Sequence, residues 1–295
     1  MQRERVAILV TLIAAAAWGL FWLPIRAFEE AGLGAGWTTL AIFLTPALLL
    51  VPLATWRRMR GLPAGAGQVL PGVLVGGAVV LYSESLLWTD VARALILFYV
   101  TPVWGTALEI LLLGRRLTPA RALALILGLL GLVIILGGRT GVPLPQNAGD
   151  VMALVAGMLW AVGSMRVRMT PSLSAFEGVF SFFLYGSLAA LVIVFLPFQP
   201  DAAAPSGADM LQLAPWLIVA ALGFVIPVVW GLIWGAKEID AGRLGILLQL
   251  EAIVGIGSAA ILTDEPFGLI EATGALLVIG AGVVDVLGDR RKTVL

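Results

Sequence analysis

Long apolar runs alternate along this sequence with short polar segments, and few residues lie outside this alternation. A helix needs about 17–25 apolar residues to cross the hydrocarbon core of a bilayer. Ten runs have such a length, at 6–26, 35–56, 67–89, 92–114, 119–138, 148–168, 174–197, 212–234, 241–262 and 267–287. The longest connection, near 198–211, is too short for a soluble domain. We therefore predict an all-α integral membrane protein with ten transmembrane helices.

The basic residues fall mainly on one side of these ten runs. With the N-terminus placed in the cytoplasm, 15 of the 18 Lys and Arg residues lie at cytoplasmic ends, and only Arg26, Arg93 and Arg139 lie outside. Short cytoplasmic loops of membrane proteins carry an excess of Lys and Arg. The pattern predicts that both termini are cytoplasmic and that the protein is a multi-pass protein of the cell (inner) membrane.

Part of the first half of the chain recurs 150 positions later, where Arg93 aligns with Arg243 and Leu112 with Leu262. Each copy carries a polar or helix-distorting group near its middle, at 99–102 in the first and 249–251 in the second. Each half holds five spans, an odd number, so the second half must enter the membrane from the opposite side. We predict two inverted five-helix repeats, 1–140 and 141–295, in one membrane domain with a substrate site near the midplane between them.

The composition excludes several kinds of chemistry. Charged residues make up only 12% of the chain, which contains neither Cys nor His, and this rules out disulfides, thiolate nucleophiles, and histidine bases or metal ligands. The two lysines, Lys237 and Lys292, lie outside any phosphate-binding loop motif. We expect no metal, no cofactor and no nucleic-acid partner. The predicted partners are a small-molecule substrate and the lipid bilayer, and the sequence is compatible with a monomer.

Polar and aromatic side chains at membrane depth are the candidates for function, because lipid offers them no hydrogen-bonding partner. The predicted substrate-binding residues are Trp18, Tyr82, Glu84, Tyr99, Trp160 and Gln249. Glu251 is a second deep acid, with a structural or proton-carrying role. For both acids, cavity lining and a hydrogen bond that ties helix to helix remain open. Pro102 and Pro227 are predicted helix kinks, since proline lacks the N–H of a helical hydrogen bond.

Helical geometry limits how many of these side chains can face one cavity. Residues two apart point in different directions, so Gln249 and Glu251 cannot both point fully inward, and Tyr82 and Glu84 lie on different sides. Glu109 is expected to form an ion pair with Arg115 or Arg116. Gly72 and Gly76 form a G-x-x-x-G motif that we interpret as a site of close helix packing rather than of dimerisation.

The ten spans, the short loops and the internal repeat resemble the EamA-type branch of the drug/metabolite transporter superfamily. That branch often has Glu-Pro in the fourth helix of a half and Gly-Glu about a dozen residues later. Here Glu251 and Glu265 match the two acids, although Ala252 replaces the proline. In the first half Pro102 is kept, but Thr101 replaces the first Glu and Gly114-Arg115 replaces Gly-Glu. Tyr82-Ser-Glu84 and the aromatic-Val-Thr-Pro segment at 99–102 are similar to amino-acid exporters of the YddG type.

The sequence favours a secondary transporter of small organic solutes that works by alternating access, with apolar or aromatic amino acids as the expected substrates. A zwitterion suits a near-neutral polar site, in which we expect Glu84 to contact the substrate. The alternatives are a proton-coupled drug or metabolite exporter of the same fold, and a channel. An intramembrane enzyme is disfavoured because serine proteases need a partner base and aspartyl proteases need two deep aspartates, whereas Asp285 lies near the end of its span and the spans hold no such pair.

Overall fold

The computed structural model describes residues 2–89, 94, 97–137, 145–170, 172–195, 204–262 and 268–290, which form helices and no strand. The helices in chain order are α1 Gln2–Trp18, α2 Trp22–Glu30, α3 Ala35–Met59, α4 Val69–Trp88, α5 Thr101–Leu113, α6 Pro119–Gly137, α7 Ala148–Arg168, α8 Ala175–Val194, α9 Gly207–Ala220, a π-helical turn Ala221–Val225, α10 Ile226–Glu238, α11 Ala241–Leu248, α12 Leu250–Leu262 and α13 Leu269–Arg290. We call residues 2–137 the N-terminal part and residues 145–290 the C-terminal part.

Five helical stretches among the described residues are long and apolar enough to cross a membrane. They are Arg3–Phe28, Gly36–Met59, Ala148–Arg168, Ala175–Val194 and Gly207–Glu238. Four shorter apolar helices accompany them, within α4, α5, α6 and α13. Large apolar side chains such as Ile261 and Leu276, 82% and 69% exposed, point away from the protein core. An apolar outer surface of this kind is suited to contact with lipid rather than water.

Several helices of the C-terminal part begin at a polar residue that caps the first turn. Ser174 and Glu177 form a reciprocal capping box at the start of α8, with Ser174 N–H donating to Glu177 Oε2 at 2.9 Å. Asn147 accepts a hydrogen bond from the Asp150 N–H at the start of α7. These side chains satisfy backbone N–H groups that have no partner inside the helix. The cap positions therefore fix where the apolar segments begin.

The N-terminal and C-terminal parts interlock through helix pairs that contain one member from each. α1 packs against α10, α3 against α8, α4 against α7 and α8, α5 against α11, and α6 along α13. Close approach in one of these pairs depends on the G-x-x-x-G motif. A methyl group at Gly76 would lie 2.5 Å from the Phe182 carbonyl oxygen, and one at Gly72 would lie 2.8 Å from that of Ser181. The motif thus packs α4 onto α8 of the same chain, in agreement with the packing interpretation.

The long apolar stretches are interrupted near their middles. The chain turns at Gly19–Phe21, between α1 and α2, and again at Tyr99–Val100 and at Gln249. The last two breaks lie at equivalent positions of the 150-residue repeat. Pro102 lies in the first turn of α5, directly after its break. Pro227 lies in the first turn of α10, directly after the π-helical turn, so both prolines mark irregular helix positions.

Candidate functional site

A small cavity lies between the N-terminal and C-terminal parts, about midway along the helices. It is lined by Trp18, Val79, Tyr82, Phe98, Trp160, Phe182, Val229, Leu232, Leu248 and Glu251. Its volume is about 20 Å³, which is close to the space needed for one water molecule. The space is therefore narrow, and a solute larger than water requires the lining helices to separate.

Five of the ten residues that line the cavity are aromatic. Tyr82 and Phe98 lie with ring centroids 4.4 Å apart. Trp18 stacks on Phe21 at 4.2 Å, directly beside the break between α1 and α2. Phe21 in turn stacks on Phe224 at 6.3 Å, within the π-helical turn. Two irregular helix positions therefore support one wall of the cavity through stacked rings, a geometry that adds stabilisation beyond burial alone.

Several buried polar atoms at this level have no hydrogen-bond partner among the described residues. They include Trp160 Nε1, Tyr99 Oη and Gln249 Oε1. The Tyr99 hydroxyl interacts electrostatically with the Glu251 carboxyl group, although the two do not meet the geometry of a full hydrogen bond. Buried polar groups are nearly always paired in folded proteins. Trp160 borders the cavity, so its unsatisfied N–H is a candidate for contact with a ligand or water.

The predicted site residues divide into two groups in the structure. Trp18, Tyr82 and Trp160 border the cavity, and Glu251 borders it as well. The other three, Glu84, Tyr99 and Gln249, are at most 1% exposed and lie outside its lining. Tyr99 stays adjacent through Phe98, with ring centroids 5.5 Å apart. Contact of these side chains with a substrate stays a prediction.

Gln249 and Glu84 are buried away from the cavity in different ways. The Gln249 amide packs directly over Gly128 of α6, where a Cβ atom would overlap it. This agrees with the expectation that Gln249 and Glu251 point in different directions. Glu84 follows two residues after Tyr82 on α4 and has interactions of its own. The acid that faces the cavity is therefore Glu251, for which the sequence had favoured a structural or proton-carrying role.

Sequence reasoning missed the apolar half of the lining. Phe98, Phe182, Leu232 and Leu248 lie in runs where almost every residue is apolar, so no local contrast distinguishes a cavity residue from a lipid-facing one. Phe98 alone had a signal, since it directly precedes Tyr99 in the repeated segment. Among the described residues no cluster of His, Cys, Asp and Glu could hold a metal ion.

A second, larger cavity lies at the end of the molecule that carries the predicted cytoplasmic loops. Its volume is about 240 Å³. It is lined by Thr106, Glu109, Ile110, Arg115, Arg116, Leu117, Thr118, Ala120, Arg121, Asp240, Arg243 and Asp285. Glu109 pairs with Arg121 at 2.8 Å and lies 3.9 Å from Arg115. The expected ion pair of Glu109 with Arg115 thus forms, and Glu109 also makes a shorter pair with Arg121, a partner that the sequence had not suggested.

Apolar helices of membrane-spanning length, an apolar exterior and a narrow cavity with aromatic rings and an acid in its wall define a multi-pass membrane protein of the solute-carrier class. Sequence comparison identifies the family. The chain belongs to the EamA-like transporter family, whose profile matches residues 5–137 and again residues 147–284.

Three relatives of this chain are named for different substrates. The aromatic amino acid exporter YddG of Ancylobacter novellus is 28% identical over 228 residues, covering 71% of this chain and 72% of that protein. A probable amino-acid metabolite efflux pump of Salmonella typhimurium is 25% identical over 197 residues, covering 63% and 64%. The biotin transporter of Escherichia coli K12 is 26% identical over 244 residues, covering 80% and 78%.

A solved crystal structure shares the fold. It covers 96% of this chain and 98% of its own, with a TM-score of 0.71 and 20% identity. At this identity the likeness concerns the arrangement of helices alone.

Proposed function

We propose that this protein is a secondary transporter of amino acids with apolar or aromatic side chains, and that it carries them by alternating access through the central cavity. The observation that carries the proposal is the cavity itself, with aromatic walls and Glu251 between the two parts of the chain. A zwitterion with an apolar side chain presents an ammonium group for an acid, a carboxylate for N–H or O–H donors, and a side chain for aromatic rings.

The polar groups around the cavity suggest how each end of an amino acid is held. Glu251 is the acid in the cavity wall and would receive the ammonium group. The unpartnered Trp160 N–H is a donor suited to the carboxylate, and the Tyr99 hydroxyl lies beside Glu251 as a second one. Trp18, Tyr82 and Phe98 would enclose the side chain. Glu84 is buried outside this lining, so the ammonium contact that the sequence assigned to Glu84 is proposed here for Glu251.

The proposed architecture is ten transmembrane spans in two inverted repeats, 1–140 and 141–295. The protein would lie in the inner membrane of the cell, with both termini in the cytoplasm. The helix pairing supports this arrangement. If each span in a pair is replaced by the span five places further along or back in the chain, a pair that joins the two parts becomes another pair that also joins them. The breaks at Tyr99 and Gln249, 150 residues apart, support it as well. The small volume of the central cavity fits one closed stage of an alternating cycle.

Transport by purified protein in liposomes tests the proposal. Vesicles loaded with an unlabelled aromatic amino acid should accumulate the labelled form by exchange, and uptake should saturate with concentration. Exchange that fails for all apolar and aromatic amino acids would refute the substrate assignment. Conductance that does not saturate, with single-channel currents, would favour a channel.

A second substrate class is favoured by the biotin transporters among the relatives. Biotin carries a carboxylate but no ammonium group, so an acid in the binding site gives it no ion pair. If biotin is the substrate, Glu251→Gln should leave transport intact or improve it. If an amino acid is the substrate, the same change should weaken binding, since hydrogen bonds to charged groups contribute about 1.5–3 kcal/mol.

A further inference from the structure

Eight charged residues at the predicted cytoplasmic end form a continuous chain of alternating acids and arginines, which we call the ionic chain. Its members in order of contact are Glu4, Arg243, Asp285, Arg121, Glu109, Arg115, Asp240 and Arg168. Six of its seven pairs lie between 2.5 and 3.1 Å, and Glu109–Arg115 measures 3.9 Å. The larger cavity lies along the ionic chain. Because the charges of the ionic chain pair with one another, they favour a structural role over a ligand-binding role.

Some of these ion pairs join the N-terminal part to the C-terminal part. They are Glu4–Arg243 at 2.9 Å, Arg121–Asp285 at 3.1 Å and Arg115–Asp240 at 2.5 Å. A separate pair, Arg3–Glu238 at 2.8 Å, also crosses between the two parts. We call these four the crossing pairs. The remaining links of the ionic chain, including Arg168–Asp240 at 2.8 Å, stay within one part.

The innermost crossing pair is well shielded from water. The side chains of Asp285 and Arg243 are 2% and 4% exposed, and that of Arg121 is 15% exposed. Arg121 bridges Asp285 and Glu109, while Glu109 also accepts the Gly242 backbone N–H at 2.9 Å. Removing one partner of a buried pair leaves an uncompensated charge, so parting the helices here exposes several charges together. The network therefore resists separation at this end.

We propose that the crossing pairs form an ionic latch that holds the cytoplasmic end of the transporter closed. Opening toward the cytoplasm separates elements of the two parts at this end, and the latch pairs must then exchange their partners for water. The inference rests on the proposed alternating-access function. It predicts that weakening the latch shifts the equilibrium toward a form open to the cytoplasm, because each conformer's population follows its relative free energy.

The test uses a cysteine reporter in a chain that has no cysteine of its own. Val79 borders the central cavity and is 6% exposed, and Val79→Cys changes its size little. A membrane-impermeant maleimide is applied to vesicles from the side that carries Glu4. The labelling rate then reports how often the central cavity opens to that side.

The variant Glu4→Gln/Arg115→Gln removes two crossing pairs at side chains that are 45% and 44% exposed, which leaves the buried pair intact and favours folding. We expect the labelling rate to rise about three- to tenfold, the range for two partly exposed pairs. The matched control is Arg168→Gln, which breaks an ion pair within one part and should change the rate less than about twofold.

Two results would overturn the latch. One is an unchanged labelling rate in Glu4→Gln/Arg115→Gln, and the other is an equal rise in Arg168→Gln. If the first variant does not give a monodisperse protein, Arg3→Gln/Glu4→Gln removes two crossing pairs from the first turn of α1 and is judged by the same criteria.

The labelling experiment needs no substrate, so the latch proposal and the substrate proposal are tested independently of each other. Faster labelling without amino-acid exchange would support the latch and refute the substrate assignment. Normal amino-acid exchange with unchanged labelling in the latch variants would overturn the latch alone.

Discussion

The packing of α4 on α8 allows a quantitative prediction about Gly76. A methyl group at this position would lie 2.5 Å from the Phe182 carbonyl oxygen and 2.9 Å from the Gly186 nitrogen. Both neighbours are backbone atoms, so no side chain can rotate away. Reaching the 3.4 Å of an ordinary contact requires the two helices to move apart by roughly 0.9 Å, the difference between the two distances.

Gly76→Ala should therefore destabilise the protein by about 1–3 kcal/mol, the usual range for overpacking a tight interface. The neighbouring Gly77 provides the control, because a methyl group there would meet nothing within 4 Å. Gly77→Ala makes the same chemical change in the same helix. It should be neutral, or stabilising by up to about 1 kcal/mol through the higher helix propensity of Ala.

Thermal denaturation in detergent measures the difference. The soluble fraction after heating is followed by size-exclusion chromatography, and midpoints are compared at one heating rate because membrane proteins commonly unfold irreversibly. We expect a midpoint several degrees lower for Gly76→Ala than for Gly77→Ala. Equal midpoints would refute the claim that close backbone contact at Gly76 holds α4 against α8.

Three further predictions concern topology, binding and driving force. Single cysteines at positions 58 and 201 should label from the cytoplasm and from outside, respectively, and labelling of position 58 from outside intact cells would contradict the proposed orientation. Trp160→Phe keeps an aromatic ring but removes the unpartnered N–H, so the concentration for half-maximal exchange should rise about five- to tenfold, the loss of roughly one hydrogen bond, with an unchanged melting midpoint. We also expect amino-acid exchange without obligatory proton coupling. Uphill uptake driven by a pH gradient alone would contradict this expectation. If that uptake is lost in Glu251→Gln but kept in Glu84→Gln, Glu251 carries the proton.

Depth in the membrane could be predicted from the sequence, because it follows from the position of a residue within its apolar run. That reasoning selected Trp18, Tyr82 and Trp160, and the structure brings all three to one cavity. The orientation of a helix about its axis is harder to predict when nearly every face is apolar. For this reason the sequence favoured Glu84 as the acid that meets the substrate, whereas the structure turns Glu251 toward the cavity.

Backbone irregularities were predicted only where an unusual residue marked them. Pro102 and Pro227 indicated two, and both lie at helix starts beside a break or a π-helical turn. The break at Gly19 gave no such signal, because the chain contains 35 glycines. Gly19 also permits a tertiary contact that a single span cannot reveal, because a Cβ atom there would lie 2.5 Å from the Glu251 carbonyl oxygen.

The ionic chain also bears on how the protein is assembled during synthesis. Arg121 on α6 and Arg243 on α11 both pair with Asp285 on α13, which is synthesised after either of them. Until α13 is made, Arg121 and Arg243 have Glu109 and Glu4 as partners but lack the acid that they share, and incompletely paired charges are costly at membrane depth. Nascent chains that end before α13 should consequently remain loosely packed around the ionic chain and be open to quality-control proteases. Insertion of α13 would then join α6 and α11 through one shared carboxylate and complete the ionic chain.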